Sequence, residues 1–385
     1  DHPLGRARLC RAGHTMQRDL PRHRPVAQPG RAAGRHRRCG GGACRLRRAP
    51  AHGPAGPHRG DRAACPVPRL RRERLYDRAD ARHRRRLDDG VNQSRPPFVD
   101  AHFHLWDRQV LRYPWLDAAE TALIAQSYRI ADYRRELANW NLVGAVHVDA
   151  GAHADEGRDE TQWLNSVAEA DGLPSAIVAR VALERPDVEA ELAWQAGHAR
   201  VRGIRHLINW HPHDASRRAY PRDLTRDPDW RRGYALLGRH GLSFDFHGFP
   251  SQLAGLAEVA GRHPEVSVVL NHLALPIPAD GLAEWRAGLA AFAAMPHAAI
   301  KLSGAGFVHS PFDPAHFADI VTEVIARFGT DRVMIATNFP TDRLAADLDR
   351  TLGAYEDLLT AFSEEERRDL WGRNANRFYR LDLDL

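Results

Sequence analysis

Lysine and cysteine are scarce in this sequence, and long apolar runs are absent. One lysine occurs in 385 residues, and all four cysteines lie at or before residue 65. The cysteine spacings do not form the paired C-x2-C clusters of a zinc module. No run of 18 apolar residues is present for a membrane span, and no apolar segment resembles the core of a signal peptide. The composition therefore predicts no zinc module and no membrane partner.

Charge is divided unevenly between the first ninety residues and the rest. Residues 1–90 hold 24 Arg against 8 Asp and Glu, whereas residues 91–385 hold 31 basic and 41 acidic residues. The sequence pI near 9.4 is therefore a property of this leader. The leader is rich in Arg, Gly, Pro and Ala, has no helical or strand periodicity and offers few aliphatic residues to bury, so we predict that it is disordered.

The leader has two further interpretations. Arg, Ala, Gly and Pro together are what GC-rich DNA yields when it is read outside its coding frame, and Val91 fits a GTG start codon. We therefore expect a native chain that begins at or near Val91, with residues 91–385 as its one domain. The alternative is an RNA-binding leader, and this version would require that deletion of residues 1–90 abolish salt-sensitive binding. We expect no nucleic-acid partner.

From residue 98 onward, short apolar or β-branched runs alternate with segments of helical spacing, such as Trp163, Val167 and Ala170. Eight strands, each followed by a helix, over about 290 residues is what a (β/α)8 TIM barrel requires. An open doubly wound sheet is the competing α/β fold, but no glycine-rich phosphate turn follows the first run. The predicted strands lie within 98–107, 144–150, 176–183, 201–208, 242–249, 266–273, 298–304 and 333–339.

The first run, FVDAHFHLWD, contains an H-x-H pair. Polar and apolar residues alternate along it, so His102 and His104 are expected on one face, roughly 6.5 Å apart along the strand. Such a pair is half of a possible metal site. Active sites of TIM barrels lie at the C-terminal ends of the strands, so candidate site residues are expected at that end of each run. The polar residues found there are His102, His104, His147, Asp149, Arg205, His206, Asn209, Asp245, His247, Asn271, His272, Lys301, Ser303, Thr337 and Asn338.

Lys301 is the single lysine of the chain and falls at the end of the seventh run. An ammonium group is compact and its pKa can be lowered by burial, whereas a guanidinium stays charged. We therefore predict a functional role for Lys301, with a simple pairing to a neighbouring carboxylate as the alternative.

Six motifs together resemble the amidohydrolase-related family. They are DAHFHLWD, GIRH at 203–206, VVLNHLALP at 268–276, IKLSGAG at 300–306, RVMIATNFP at 332–340 and LWGRNANRFYRL at 370–381. That family consists of TIM-barrel, nominally metal-dependent hydrolases and includes sugar-acid and dicarboxylate lactonases. The resemblance implies hydrolysis of a small, anionic, cyclic ester in the cytoplasm.

The resemblance also implies roles for individual residues. His102 and His104 match the first-strand metal or substrate pair, His272 matches the sixth-strand histidine, and His247 stands where some relatives have glutamine. Relatives usually read GSDWP at the eighth strand, where the aspartate is general base and metal ligand, but this chain has Asn338 there. Because an amide is a poor base and a poor ligand for a hard cation, one divalent ion, with zinc the first choice, and a metal-free site both stay open.

Asp342 follows four residues after Asn338 and is our first candidate for the missing carboxylate, with a helix cap as the alternative. His247 or His104 is the next candidate base. Arg205 and Lys301 are expected to hold a substrate carboxylate and to polarise the ring carbonyl. The further residues predicted to contact substrate are His147, Trp106 and Trp210, and residues 209–227 are long and polar enough to form a lid.

We therefore predict a lactonase that acts on a small-molecule substrate. A metal-dependent non-oxidative decarboxylase of an aromatic or unsaturated acid is the nearest alternative, since the same superfamily includes such enzymes. A catalytically lapsed barrel that binds a metabolite is another, suggested by Asn338. A homo-oligomer is left open.

Overall fold

The computed structural model describes residues 95–308 and 312–385, so the predictions for the Arg-rich leader lie outside the described residues. Eight strands form one sheet in the order β1 to β8, and every neighbouring pair is parallel. They are β1 (Phe98–Phe103), β2 (Leu142–Val148), β3 (Ala176–Arg180), β4 (Val201–Leu207), β5 (Ser243–His247), β6 (Val268–Leu270), β7 (Ala298–Leu302) and β8 (Val333–Ile335).

Hydrogen bonds beyond the end of β8 close the ring against β1. The Asn338 N–H donates to the His102 carbonyl at 2.7 Å, and the His104 N–H donates to the Phe339 carbonyl at 2.8 Å. The predicted TIM barrel is therefore confirmed, and each of the eight predicted runs overlaps a strand.

Helices lie between and after the strands. They are α1 (Ile130–Glu136), α2 (Gly157–Asp171), α3 (Val188–Ala196), α4 (Pro228–Leu236), α5 (Leu253–Arg262), α6 (Ala283–Ala293), α7 (Ala305–Val308), α8 (Pro314–Phe328), α9 (Leu348–Leu358), α10 (Glu364–Arg368) and α11 (Asn374–Tyr379). Helix α8 shows why such segments form: Asp313 caps its first turn by accepting from the Ala315 N–H, Pro314 begins it, and apolar residues recur on one face. None of the helices in the described ranges is both long and apolar enough to cross a membrane.

The strands have two buried faces. Outward residues such as Phe244 and Ile300 pack beneath the helices, whereas Val99, Val146 and Val269 belong to a separate cluster inside the barrel. Both faces are apolar along the lower strands, as expected for a parallel sheet covered by helices.

A register shift in β1 decides where its histidines point. The pairing with β2 is irregular between Asp100 and Phe103, and Val99 and Ala101 both lie in the interior cluster. His102 and His104 nevertheless contact interior residues of other strands, so the alternation changes phase after Ala101. The expectation of one unbroken alternation was therefore wrong, because a bulge brings the histidines to the interior side.

The C-terminal segment covers the N-terminal ends of the strands. A π-helical turn, Asp369–Arg373, leads into α11, and the Asn374 side-chain amide donates to the Thr330 and Val333 carbonyls at 2.6 and 2.7 Å. Tyr379, the last residue of α11, is fully buried in the interior cluster. The opposite, C-terminal end of the barrel therefore carries the polar side chains.

Candidate active site

His102 and His104 lie together at the end of β1, as predicted. Their Nε2 atoms are 3.2 Å apart, and His104 Nδ1 is 2.7 Å from the Val148 carbonyl oxygen. A carbonyl oxygen only accepts, so His104 Nδ1 carries the proton and the lone pair of the neutral ring is on Nε2. Burial, followed by the charge of Lys301 on His102 and of Arg205 on His104, holds both pKa values well below that of free histidine. Both rings are therefore neutral near pH 7.

Asn338 and Asp342 extend this cluster past β8. Asn338 Oδ1 lies 3.2 Å from His104 Nε2, and Asn338 Nδ2 donates to Asp342 Oδ1 at 2.7 Å. Asp342 Oδ2 accepts from the Ala305 N–H at 3.0 Å, at the start of α7. Burial raises the pKa of Asp342 to about 7. Asp342 is therefore near Asn338, as predicted, and its contacts are not those of a cap for its own turn.

His272 and His247 come from β6 and β5. The His272 ring centre is 4.6 Å from that of His102 and 5.1 Å from that of His247, and its Nδ1 lies 2.9 Å from Ser303 Oγ. Burial lowers the pKa of His247 to about 3 and that of His272 well below its usual value. Phe307 covers these two rings with 45% of its surface exposed. Neutral imidazoles and one aromatic ring thus form this side of the mouth.

Lys301 lies below His102 and has no exposed surface. Its Nζ donates to Asp245 Oδ2 at 2.6 Å and lies 3.5 Å from His102 Nδ1. Burial lowers the pKa of Lys301, while Asp245 opposes that effect. The strongest contact of Lys301 is thus its pair with a neighbouring carboxylate, which was the alternative interpretation. The ammonium also contacts the histidine cluster through His102.

Arg205 lies near the mouth with 5% of its surface exposed. Its guanidinium bonds both the side chain and the carbonyl of Asp149, with Nε 3.3 Å from Oδ2. Behind it, burial and then the charge of Asp149 raise the pKa of Glu160 to about 8. Both predicted substrate cations, Arg205 and Lys301, are therefore already paired with buried carboxylates.

Trp106 and Trp210 do not contact the cluster, and His147 contacts it only through the edge of His104, with 6.1 Å between the ring centres. His147 lies between two interior valines of β2 and points outward, where its Nε2 is 3.3 Å from the Leu105 carbonyl and its ring packs against Phe103. Trp106 is fully buried, and its indole N–H donates to the Gln126 carbonyl. Trp210 packs under Arg218, with 5.1 Å between the guanidinium carbon and the ring centre. Strand alternation explains His147, and local packing explains Trp106.

Asp149, Asp245 and Asn271, which the sequence places at strand ends, take part in the site, and the structure adds Tyr379. Asp245 shares a face with His247 because the two are separated by one residue. Tyr379 reaches Asp245 from 134 positions along the chain, with 2.7 Å between its hydroxyl and Asp245 Oδ2. No local sequence signal predicts a contact at that separation.

The donor atoms fit a metal ion only in part. His102 and His104 present two imidazole nitrogens at a spacing that suits adjacent ligands, but the next donor is the neutral amide of Asn338. Asp342 is bonded to Asn338 and Ala305, and the Lys301 ammonium stands beside His102. Across residues 95–308 and 312–385, no three His, Cys, Asp or Glu side chains are arranged to hold a metal. The donor set therefore does not match the three protein ligands of a catalytic zinc site.

The chain belongs to the amidohydrolase family, whose model matches residues 99–381. It is 35% identical over 291 residues to an uncharacterized protein of Sinorhizobium fredii, covering 74% of this chain and 98% of that protein. It is 30% identical over 298 residues to L-fucono-1,5-lactonase of Burkholderia multivorans, covering 74% and 96%. A crystal structure of an amidohydrolase from Burkholderia multivorans with bound zinc has a TM-score of 0.64 at 29% identity and covers 74% of this chain and 99% of that one.

Proposed function

We propose that this protein is a lactonase that opens the ring of an uncharged sugar lactone. Two kinds of evidence support the proposal: the 30% identity to L-fucono-1,5-lactonase over nearly all of that enzyme, and a mouth built from neutral imidazoles. The cytoplasm as the place of this reaction stays a prediction.

The observation that carries the proposal is the hydrogen bond from His104 Nδ1 to the Val148 carbonyl. It fixes the tautomer, so the Nε2 lone pair faces His102 and Asn338 at the centre of the mouth. A neutral imidazole held in this way is a general base for a water molecule that replaces His102 Nε2 as the hydrogen-bond partner of this lone pair.

The proposed reaction is ordinary ester hydrolysis. The water oxygen bonds to the lactone carbonyl carbon while one water proton passes to His104 Nε2, and the carbonyl electron pair moves to oxygen. His272 Nε2, on the ring edge opposite the atom near Ser303, stabilises that oxyanion when the serine hydroxyl donates to Nδ1. The ring C–O bond then breaks, and the proton returns from His104 to the alkoxide. The product is an open hydroxy acid.

The ion pairs support an uncharged substrate in place of the anionic one that we expected from the sequence. Arg205 is paired with Asp149 and Lys301 with Asp245, so neither cation is free to bind a substrate carboxylate. A sugar lactone carries no charge, because its carboxyl group forms the ring ester. A dicarboxylate lactone would bring two charges that this mouth does not neutralise.

The geometry supports Asp342 as a positioning residue more strongly than as the base. Its two oxygens already accept from the Asn338 amide and the Ala305 N–H, and its raised pKa leaves it partly protonated near neutral pH. Asp342 thereby holds the Asn338 side chain beside His104. His247, with its Nδ1 unpartnered within the described residues, is available to hydrogen-bond a sugar hydroxyl.

A pH-indicator assay of the full chain with uncharged sugar lactones and a pyrone dicarboxylate tests the proposal. We expect acid release from the sugar lactones, and a loss of kcat of about 10²–10⁴-fold in His104→Gln because the base is removed. His263→Gln is the matched control, since that imidazole pairs with Glu265 on the surface. Metal analysis of the same preparation accompanies the assay. Hydrolysis of the dicarboxylate alone, or full activity in His104→Gln, would contradict the proposal.

A further inference from the structure

A buried hydrogen-bonded chain connects the C-terminal helix to the histidine cluster. The Tyr379 hydroxyl donates to Asp245 Oδ2 at 2.7 Å, and the same oxygen accepts from Lys301 Nζ at 2.6 Å. Lys301 Nζ lies 3.5 Å from His102 Nδ1. All four side chains have no exposed surface. The chain therefore runs from the closed end of the barrel to the proposed reaction site through groups that water does not reach.

Each contact in this chain has a defined direction. An ammonium group only donates, so Lys301 donates to Asp245 and leaves His102 Nδ1 as an acceptor. The proton of the neutral His102 ring is then on Nε2, which faces the Nε2 lone pair of His104. Asn271 also lies beside His102 Nδ1, and its Nδ2 has no hydrogen-bond partner among the described residues. If the amide is turned over, Nδ2 donates to His102 Nδ1 and gains that partner. Lys301 thus sets the tautomer of His102.

Tyr379 controls where the Lys301 ammonium sits. Its ring lies beneath Nζ, with 5.1 Å between Nζ and the ring centre, and its hydroxyl shares the carboxylate oxygen that anchors the ammonium. The other oxygen, Asp245 Oδ1, has no hydrogen-bond partner among the described residues. The carboxylate is therefore oriented by two bonds at one atom, and loss of the tyrosine hydroxyl leaves it to rotate.

We propose that Tyr379 of the C-terminal helix is a positioning residue for the hydrolytic site, acting through Asp245 and Lys301 to fix the orientation and tautomer of His102. This inference rests on the proposed lactonase function for its kinetic consequence only. The coupling of Tyr379 to Lys301 is a separate physical claim and can be measured without any substrate.

The experiment uses the single lysine of the chain. Selective ¹⁵N labelling of lysine in the full-length protein gives one side-chain resonance, which reports Lys301 alone. We expect a solvent-protected ammonium signal in the unmodified protein and a clear change in its chemical shift in Tyr379→Phe, which keeps the ring and removes the hydroxyl. Tyr234→Phe is the matched control, since that hydroxyl is buried without a hydrogen-bond partner in the described part of the chain. It should leave the lysine signal in place.

Steady-state kinetics with a sugar lactone supply the second measurement. We expect kcat to fall about 10–100-fold in Tyr379→Phe with KM nearly unchanged, as for other residues that orient a catalytic imidazole. An unmoved lysine signal overturns the inference, and so does a moved signal with an unchanged kcat. If the unmodified protein opens no lactone, the proposed function fails, whereas a moved signal still supports the coupling. If Tyr379→Phe does not fold, Asp245→Asn must move the same signal, and an unmoved one overturns the inference.

Discussion

Two buried ion pairs flank the histidine cluster, and they are built differently. Lys301 and Asp245 are both fully buried, and their carboxylate is shared only with Tyr379 among the contacts of the described residues. Arg205 lies nearer the mouth, and Asp149 also accepts from the Gly151 N–H at 2.9 Å. The first pair supports His102 from below, whereas the second lies beside the opening.

The difference shows that buried charge has two roles in this fold: one ion pair supports His102, and the other lines the mouth. The Lys301 ammonium and the Asp245 carboxylate, held in place by the Tyr379 hydroxyl, form a fixed support beneath His102. Near the mouth, Arg205 is accompanied by Arg180, Asp149 and Glu160, and the raised pKa of Glu160 lets that group absorb a proton. Substitutions at Lys301, Glu160 and Arg205 would each change one side of this contrast.

Lys301→Met should destabilise the protein most. It leaves Asp245 buried without a cation, and breaking a buried pair in this way costs about 3–5 kcal/mol in the free energy of unfolding. The double variant Lys301→Met with Asp245→Leu removes both charges and should recover most of that loss. Urea unfolding of the two variants at pH 7 is the measurement. A loss below about 1 kcal/mol in the single variant would show that the pair is not a rigid support.

Glu160→Gln should change how stability depends on pH. The folded pKa of Glu160 is about 8 against a usual value of 4.5, so the unfolded chain releases its proton first and stability falls as pH rises between those values. Glutamine keeps the oxygen that accepts from Tyr113 and from the Ala150 N–H and does not ionise. We expect the variant to gain on the order of 2 kcal/mol over the unmodified protein between pH 5 and pH 8.

Thermal or urea unfolding across that pH range measures this effect. Glu184 is unsuitable as a comparison because it lies near His206, so Glu189→Gln, at an exposed pair with Arg239, is the control and should leave the pH dependence as it was. Parallel stability curves for Glu160→Gln and the unmodified protein would mean that Glu160 is ionised in the fold.

Arg205→Lys should have the smallest effect, and it should appear in KM. A shorter ammonium cannot keep both contacts to Asp149, so the wall of the mouth shifts while His104 and its bond to Val148 stay in place. We expect KM for the sugar lactone to rise about tenfold, equivalent to ~1.4 kcal/mol, with kcat within about twofold. Arg185→Lys, at a surface pair with Asp187, is the control. A fall in kcat without a change in KM would mean that Arg205 positions the catalytic histidines, as Lys301 does, and does not shape the mouth.

The sequence predicted the barrel and its polar end because both are encoded locally. Each strand is a short apolar run, and His102, His104 and His272 stand where such runs end, so parallel strands must bring them to the same rim. The same reasoning did not predict the orientation of His147, whose ring points outward and meets the cluster only at His104, since a residue count along a run does not say which face is inward. It failed in β1 as well, where a register shift changes the phase of alternation.

The sequence alone determined the fold, the family and the residues available at the C-terminal ends of the strands, because strand periodicity and the order of the motifs can be read directly from the sequence. Only the tertiary structure decided which groups are already neutralised and which are free to act. The sequence predicted that Arg205 and Lys301 bind the substrate, but in the structure they are paired with Asp149 and Asp245. The contact of Tyr379 with Asp245 was not predicted. Charge pairing and hydrogen-bond direction depend on distances of 3 Å or so between residues remote in the chain, and these arise when the barrel closes.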